Sequence, residues 1–201
     1  MFLVFPLLLA WLVAVISPGP DFLAVLRTSA AQGRSAGMRV GFGVVSGIAC
    51  WATLAMCGLS ALLARYEHLY LVVRSVGAVL LIGYGVHILW SARKAGHGAI
   101  QERRPSTGNY WRLGLFTNVA NPKALVFFGA LFATLMPRHE GVGVRVAVLS
   151  VMLAMAVGWF AVVSWCAGSQ PVVAAYRRLQ RTIDRIAGGL FTAIGITLVP
   201  R

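Results

Sequence analysis

Apolar residues fill this chain in long blocks. The blocks run from about Phe2 to Ile16, Val40 to Ala64, Leu69 to Ala92, Leu113 to Met136, Val144 to Gly168 and Ile186 to Val199. A helix needs ~20 mostly apolar residues to cross a bilayer, so the pattern predicts about six transmembrane helices. Six spans and short loops exhaust the 201 residues. The expectation is one all-α integral membrane domain over 1–197, with a polar loop over 93–112. Two blocks are broken. The first meets Ser17-Pro18-Gly19-Pro20-Asp21 and turns apolar again from Phe22 to Leu26; Asn118-Val119-Ala120-Asn121-Pro122-Lys123 interrupts the fourth.

Ahead of the last block the period changes. Val172, Val173, Tyr176, Leu179, Ile183 and Ile186 recur at steps of three and four, with Arg177, Arg178, Arg181 and Arg185 between them. That is the pattern of an amphipathic helix lying at the membrane interface, its arginines near anionic lipid headgroups. A lipid-regulated gating element is the alternative.

Composition agrees with the blocks. Charged residues make up 11% of the chain, against roughly a quarter in a soluble domain. The net charge of +13 raises the question of nucleic acid. The basic residues lie between the apolar blocks, however, and form no contiguous basic face of the kind nucleic acid needs. Twelve of them fall in the first, third and fifth loops, against Arg65, Arg74, Arg138 and Arg145 in the second and fourth. The positive-inside rule then places the odd loops in the cytoplasm and both termini outside. Cys50, Cys57 and Cys166 are scattered in apolar stretches and read as packing residues. Met1 to Ile16 has no basic n-region and no small-residue cleavage site, so it is expected to stay as a helix rather than be removed. Residues 198–201 read as the remnant of a cleavable tag.

The breaks have a physical logic. Pro18 and Pro20 each lack a donor, and Gly19 adds conformational freedom. Asn121-Pro122 reads as an N-cap followed by proline at the first helical position. Each break therefore ends one half-helix and starts another, and free N–H groups at a helix N-terminus attract anions. Non-helical backbone at membrane depth is tolerated where it lines a cavity. The breaks also align: at an offset of 102, Pro20-Asp21-Phe22-Leu23 falls on Pro122-Lys123-Ala124-Leu125. A second match, Arg74-x-x-Gly77 on Arg185-x-x-Gly188, has an offset of 111. Three spans per unit make this a 3+3 inverted repeat, about 1–92 and 113–197, with broken first and fourth helices. Secondary transporters are commonly built this way.

Ser17-Pro18-Gly19-Pro20-Asp21, then Gly33-Arg34-Ser35-Ala36-Gly37, resembles the opening of the LysE/RhtB family of amino-acid exporters. Gly114-Leu115-Phe116-Thr117-Asn118-Val119-Ala120-Asn121-Pro122-Lys123-Ala124 resembles its second signature, and Gly77 and Gly85 match its third-helix glycines. Leu80 and Gly83 stand where aromatics often occur in the family, with Tyr84 nearby. The resemblance covers essentially the whole chain. It implies a multi-pass protein of the bacterial inner membrane, without cofactors, that exports amino acids using an ion gradient.

Asp21 and Lys123 are the charged residues that adjoin the breaks. A charge near the bilayer centre costs ~2.5–3.5 kcal/mol on insertion scales, which makes such residues functional candidates. One reading has Asp21 meet a substrate ammonium, and also carry the coupling proton, while Lys123 meets the carboxylate. Pro18, Gly19, Pro20 and Pro122 then shape the site, and Asn118 and Asn121 bond substrate. The other reading is a structural Asp21–Lys123 ion pair, with Asn121 a cap only. Gly37, Gly41, Gly43 and Gly47 form two Gly-x-x-x-Gly spacings for close helix packing; packing within the chain is favoured over a homodimer. His87 is an interfacial histidine or a proton relay. Trp11, Trp51, Trp90 and Trp159 are expected at lipid or in the interfacial belt.

The leading function is proton-coupled export of amino acids or related small zwitterions. The alternatives are export of another solute or a metal ion, or a membrane assembly role without transport. An enzyme is disfavoured, because His68, His87, His97 and His139 are scattered and no nucleophile–base set converges.

Overall fold

A computed structural model describes residues 4–55, 67–94, 108–128, 141–167 and 169–199. Cys57, His97, His139, the ends of the second and fourth blocks and most of the third loop lie outside these. Among the described residues there are eight helices and no strand. They are α1 (Val4–Ile16), α2 (Pro20–Gln32), α3 (Arg34–Leu54), α4 (Glu67–Lys94), α5 (Tyr110–Val119), α6 (Pro122–Val126), α7 (Val142–Cys166) and α8 (Gln170–Leu198). α3 and α7 are each long and apolar enough to cross a bilayer, and α1 with α2 makes a third such unit, bent by 46°. α4 carries an apolar stretch at Ser75–Ser91.

Both expected breaks are present. The amide of Ser17 closes α1 on the carbonyl of Val13 (2.9 Å), and α2 opens with Pro20 at its first position. At the second break the Asn121 side chain caps α6 by accepting from the Lys123 amide at 2.9 Å, with Pro122 as the first helical residue.

Two stretches differ from expectation. The first loop is helical: α2 runs through Arg27 to Gln32, and α3 begins at Arg34. Gly33, at φ 89°, is all that separates them. That left-handed conformation is open to glycine at little cost. Polar residues stay helical here because the bundle buries them; Thr28 and Ser29 are buried, and Ser29 Oγ donates to the Val25 carbonyl at 2.7 Å. The arginine-rich segment is likewise no separate interfacial helix. It continues without interruption into the sixth block as the 29-residue α8.

Glycines fix how the helices pair and in which direction they run. A methyl at Gly43 would overlap the Trp111 carbonyl and lie 2.8 Å from the Leu115 amide, and one at Gly114 would overlap the Val40 carbonyl. α3 and α5 therefore run parallel, backbone against backbone. A methyl at Gly41 would lie 3.0 Å from Phe160 of α7, and Arg34 at the start of α3 lies over Trp165 near the end of α7, so those two are antiparallel. α4 and α8 are antiparallel as well: Gly188 lies against Gly85, and Gly195 against Ile82 and Ala78. The four α3 glycines thus serve packing within the chain.

Trp11 corrects its expected place. It is buried and donates Nε1–H to the Met152 carbonyl at 2.9 Å, which ties α1 to α7. Trp51 and Trp159 are half-buried, and Trp90 is exposed.

Candidate functional site

The two breaks meet. Ser17, Gly19 and Asp21 from the first and Asn118, Asn121 and Lys123 from the second line one cavity, although about a hundred residues separate them. Its remaining wall is apolar, led by Trp11, Phe127 and Phe128, whose ring centroids lie 5.0 to 5.6 Å apart. Pro18, Pro20 and Pro122 do not line it. They act through the backbone, by ending and starting the half-helices.

Asp21 sits in the first turn of α2 and is held from the second break. Asn118 Nδ2 donates to its Oδ2 at 2.8 Å and Asn121 Nδ2 donates to the same oxygen at 2.9 Å. The other carboxylate oxygen, Oδ1, is buried and has no hydrogen-bond partner among the described residues. Both amide donors go to one oxygen, and a buried carboxylate oxygen without a donor is costly. Asn121 serves twice, since its Oδ1 caps α6 while its Nδ2 holds Asp21. Asn118 can approach because α3 has no side chain at Gly47, where an added methyl would lie 2.6 Å from Asn118 Oδ1.

Lys123 is bonded elsewhere. Its Nζ donates to the Ser17 carbonyl at 2.8 Å, a group exposed by the first break. An ammonium has three donors, so this bond leaves capacity for a ligand. Acid and base thus each bond a neutral neighbour instead of each other. The cavity's free volume is about 30 Å³, room for about two water molecules.

One acid of the last helix escaped the sequence reading. Asp184 lies half-buried on α8, and the ring of Tyr84 on α4 packs 6.1 Å from that of Phe191 on α8. The available signal was scarcity: the chain has only five acidic residues, and Asp184 is the one acid near its last apolar block. His87 is exposed and away from the cavity.

Apolar spans that enclose a charged cavity at paired helix breaks define a polytopic membrane transport protein. The chain belongs to the LysE type translocator family, whose model matches residues 12–201. It is a translocator of the inner membrane and not an enzyme. Among its relatives is the threonine efflux protein of Escherichia coli K12, 29% identical over 94% of this chain and 93% of the relative. The threonine efflux protein of Salmonella typhimurium is 28% identical over 99% and 98%. An uncharacterized membrane protein of Pseudomonas aeruginosa is 30% identical over 92% and 88%. No solved structure matches significantly.

Proposed function

We propose that this protein is a secondary exporter of amino acids that binds its substrate between Asp21 and Lys123. The observation that carries this reading is the divided carboxylate of Asp21: one oxygen is fixed by two asparagines, and the other is buried with no donor. A substrate ammonium supplies the missing donors. The substrate carboxylate meets Lys123, the lysine that lines the same cavity. The apolar wall favours a small neutral side chain, and the relatives named for threonine efflux fit that class.

Coupling follows from competition. A proton and a substrate ammonium cannot occupy the Asp21 carboxylate together, so the carrier holds one or the other, as antiport requires. Asp21 is therefore the proton site as well as the substrate site. The 3+3 inverted repeat gives this site its geometry. Support comes from packing: the pairs α2 with α5, α3 with α7 and α4 with α8 are in contact. Taken as whole spans, first with fourth, second with fifth and third with sixth, these are the pairs an axis through the midplane relates to themselves. Parallel α3 and α5 and antiparallel α3 and α7 also fit a chain that crosses the membrane six times.

The test is uptake into inverted membrane vesicles from an amino-acid panel that includes threonine. A pH gradient, acid inside, should drive accumulation in the wild type but not in Asp21→Asn. Gradient-driven accumulation that survives in Asp21→Asn removes Asp21 from coupling. If no amino acid accumulates while a metal salt does, the proposed substrate class is wrong.

A further inference from the structure

We propose that Asn121 is a positioning residue that passes the charge state of Asp21 to the start of α6, and so to Lys123 and the apolar wall. This role rests on the reading of Asp21 as the place where proton and substrate compete.

One planar amide group makes both connections. Asn121 Nδ2 donates to Asp21 Oδ2 at 2.9 Å, and Asn121 Oδ1 accepts from the Lys123 amide, also at 2.9 Å. The backbone carbonyl of Asn121 takes the Leu125 amide at 3.2 Å, so this residue holds two of the first amides of α6. Asn121 is buried, at 2% exposure, and bulk water does not compete for either side-chain bond.

The direction of control follows from donor and acceptor chemistry. An ionised carboxylate only accepts hydrogen bonds, whereas an amide has a donor end and an acceptor end. Ionised Asp21 therefore turns Nδ2 of Asn121 toward itself, which leaves Oδ1 at the amide of Lys123. A protonated Asp21 can donate as well as accept, so it no longer dictates which end of the amide it meets. With the amide reversed, Nδ2 would face the Lys123 N–H, donor against donor, and α6 would lose its cap. The grip on Asn121 also weakens, because hydrogen bonds to an ionised acceptor are roughly twice as strong as neutral ones.

The links close a ring through both breaks. Lys123 Nζ donates to the Ser17 carbonyl at 2.8 Å, and the lysine runs past Gly19, where an added methyl would lie 3.8 Å from Nζ. Only Pro18-Gly19-Pro20 separates Ser17 from Asp21. α6 leads directly into Phe127 and Phe128, whose ring centroids lie 5.0 and 5.6 Å from that of Trp11. A change at Asp21 thus reaches the apolar wall as well as the base. Asn118 carries no such link, since its Oδ1 has no hydrogen-bond partner among the described residues.

Among the described side chains, Lys123 is the other titratable group that lines the cavity with Asp21. On the helices packed against α2 and α6, Arg34, Arg39, His87 and Arg112 are exposed. Tyr84, Tyr110 and Arg145 are half-buried and do not line the cavity.

The test is hydrogen exchange of the α6 amides, read by mass spectrometry on the protein in lipid nanodiscs at one pH. Asp21→Asn mimics the protonated acid, with one donor end and one acceptor end. It should speed exchange across Lys123–Phe128 by about fivefold, the effect of losing a helix cap. Asn121→Ser keeps a capping oxygen but is too short to hold Asp21 as well. In that background Asp21→Asn should leave α6 exchange unchanged. No change of α6 in Asp21→Asn overturns the proposal, as does an effect of equal size in the Asn121→Ser background. Faster exchange of the same size throughout α7 also overturns it, since that marks general loosening. Transport gives a second reading if Asp21→Asn does not assemble. Asn121→Ser should lose about tenfold more gradient-driven accumulation than counterflow, a typical size for coupling between two sites. Equal loss of the two marks a structural role and overturns the proposal. Wild-type protein without amino-acid counterflow refutes the underlying substrate reading, a distinct result, because the hydrogen-exchange comparison needs no substrate.

Discussion

Asn118 donates its side-chain amide to Asp21 across 2.8 Å and a sequence separation of 97 residues. This contact joins the two helix breaks, one from each half of the chain, and directs a half-buried carboxylate into the cavity. Asn121 reinforces it from the second break. The acid is thus held in place by neutral donors, and its second oxygen remains for a ligand.

Removal of the Asn118 donor should impair transport more than assembly. A hydrogen bond to a charged group contributes about 1.5–3 kcal/mol, so Asn118→Ala should lower counterflow by about tenfold or more. Gly47→Ala should act in the same direction, because its methyl displaces Asn118. Normal membrane yield with normal counterflow in both variants would show that the Asn118 contact is dispensable.

The backbone contact between α3 and α5 should tolerate no side chain. Gly114→Val forces these helices apart, and overpacking of this kind costs about 1–3 kcal/mol. Thermal unfolding in detergent should show a clear loss of stability. Gly158→Ala is the control, since nothing lies within 4 Å of an added methyl there. Equal melting temperatures for the two variants would remove glycine packing as the cause of the tight pair.

The basic loops should face the cytoplasm. Single cysteines at Ser106 and Glu140, in a cysteine-free background, should be labelled from opposite sides of the membrane. Labelling of both from the periplasm would overturn the topology and with it the inverted repeat.

Features with a local cause were legible in the sequence. Proline lacks a donor and Asn121 can cap a helix, so both breaks could be read from single residues and their neighbours. The alignment of Pro20-Asp21 on Pro122-Lys123 led to the expectation that acid and base meet, and both line the same cavity. Features set by packing were hidden. Arg27, Thr28 and Ser29 look like loop residues, yet α2 passes through them because the bundle buries Thr28 and Ser29. Trp11 looks like a belt residue, but its N–H reaches a carbonyl of α7. Asp184 sits among arginines that suggest an interfacial helix, yet it is half-buried on the long helix α8. The direct Asp21–Lys123 ion pair, the structural alternative, gives way to bonds with Asn118, Asn121 and the Ser17 carbonyl.

The most direct measurement is counterflow selectivity with ligands that each lack one charge. Threonine carries both an ammonium and a carboxylate, threoninamide lacks the carboxylate, and 2,3-dihydroxybutyrate lacks the ammonium. Proteoliposomes containing wild-type protein should exchange threonine and reject both analogues. Asp21→Asn should lose its preference for threonine over 2,3-dihydroxybutyrate, and Lys123→Met should lose its preference for threonine over threoninamide. If both variants keep the wild-type selectivity ratios at reduced rates, Asp21 and Lys123 do not bind the two ends of the substrate.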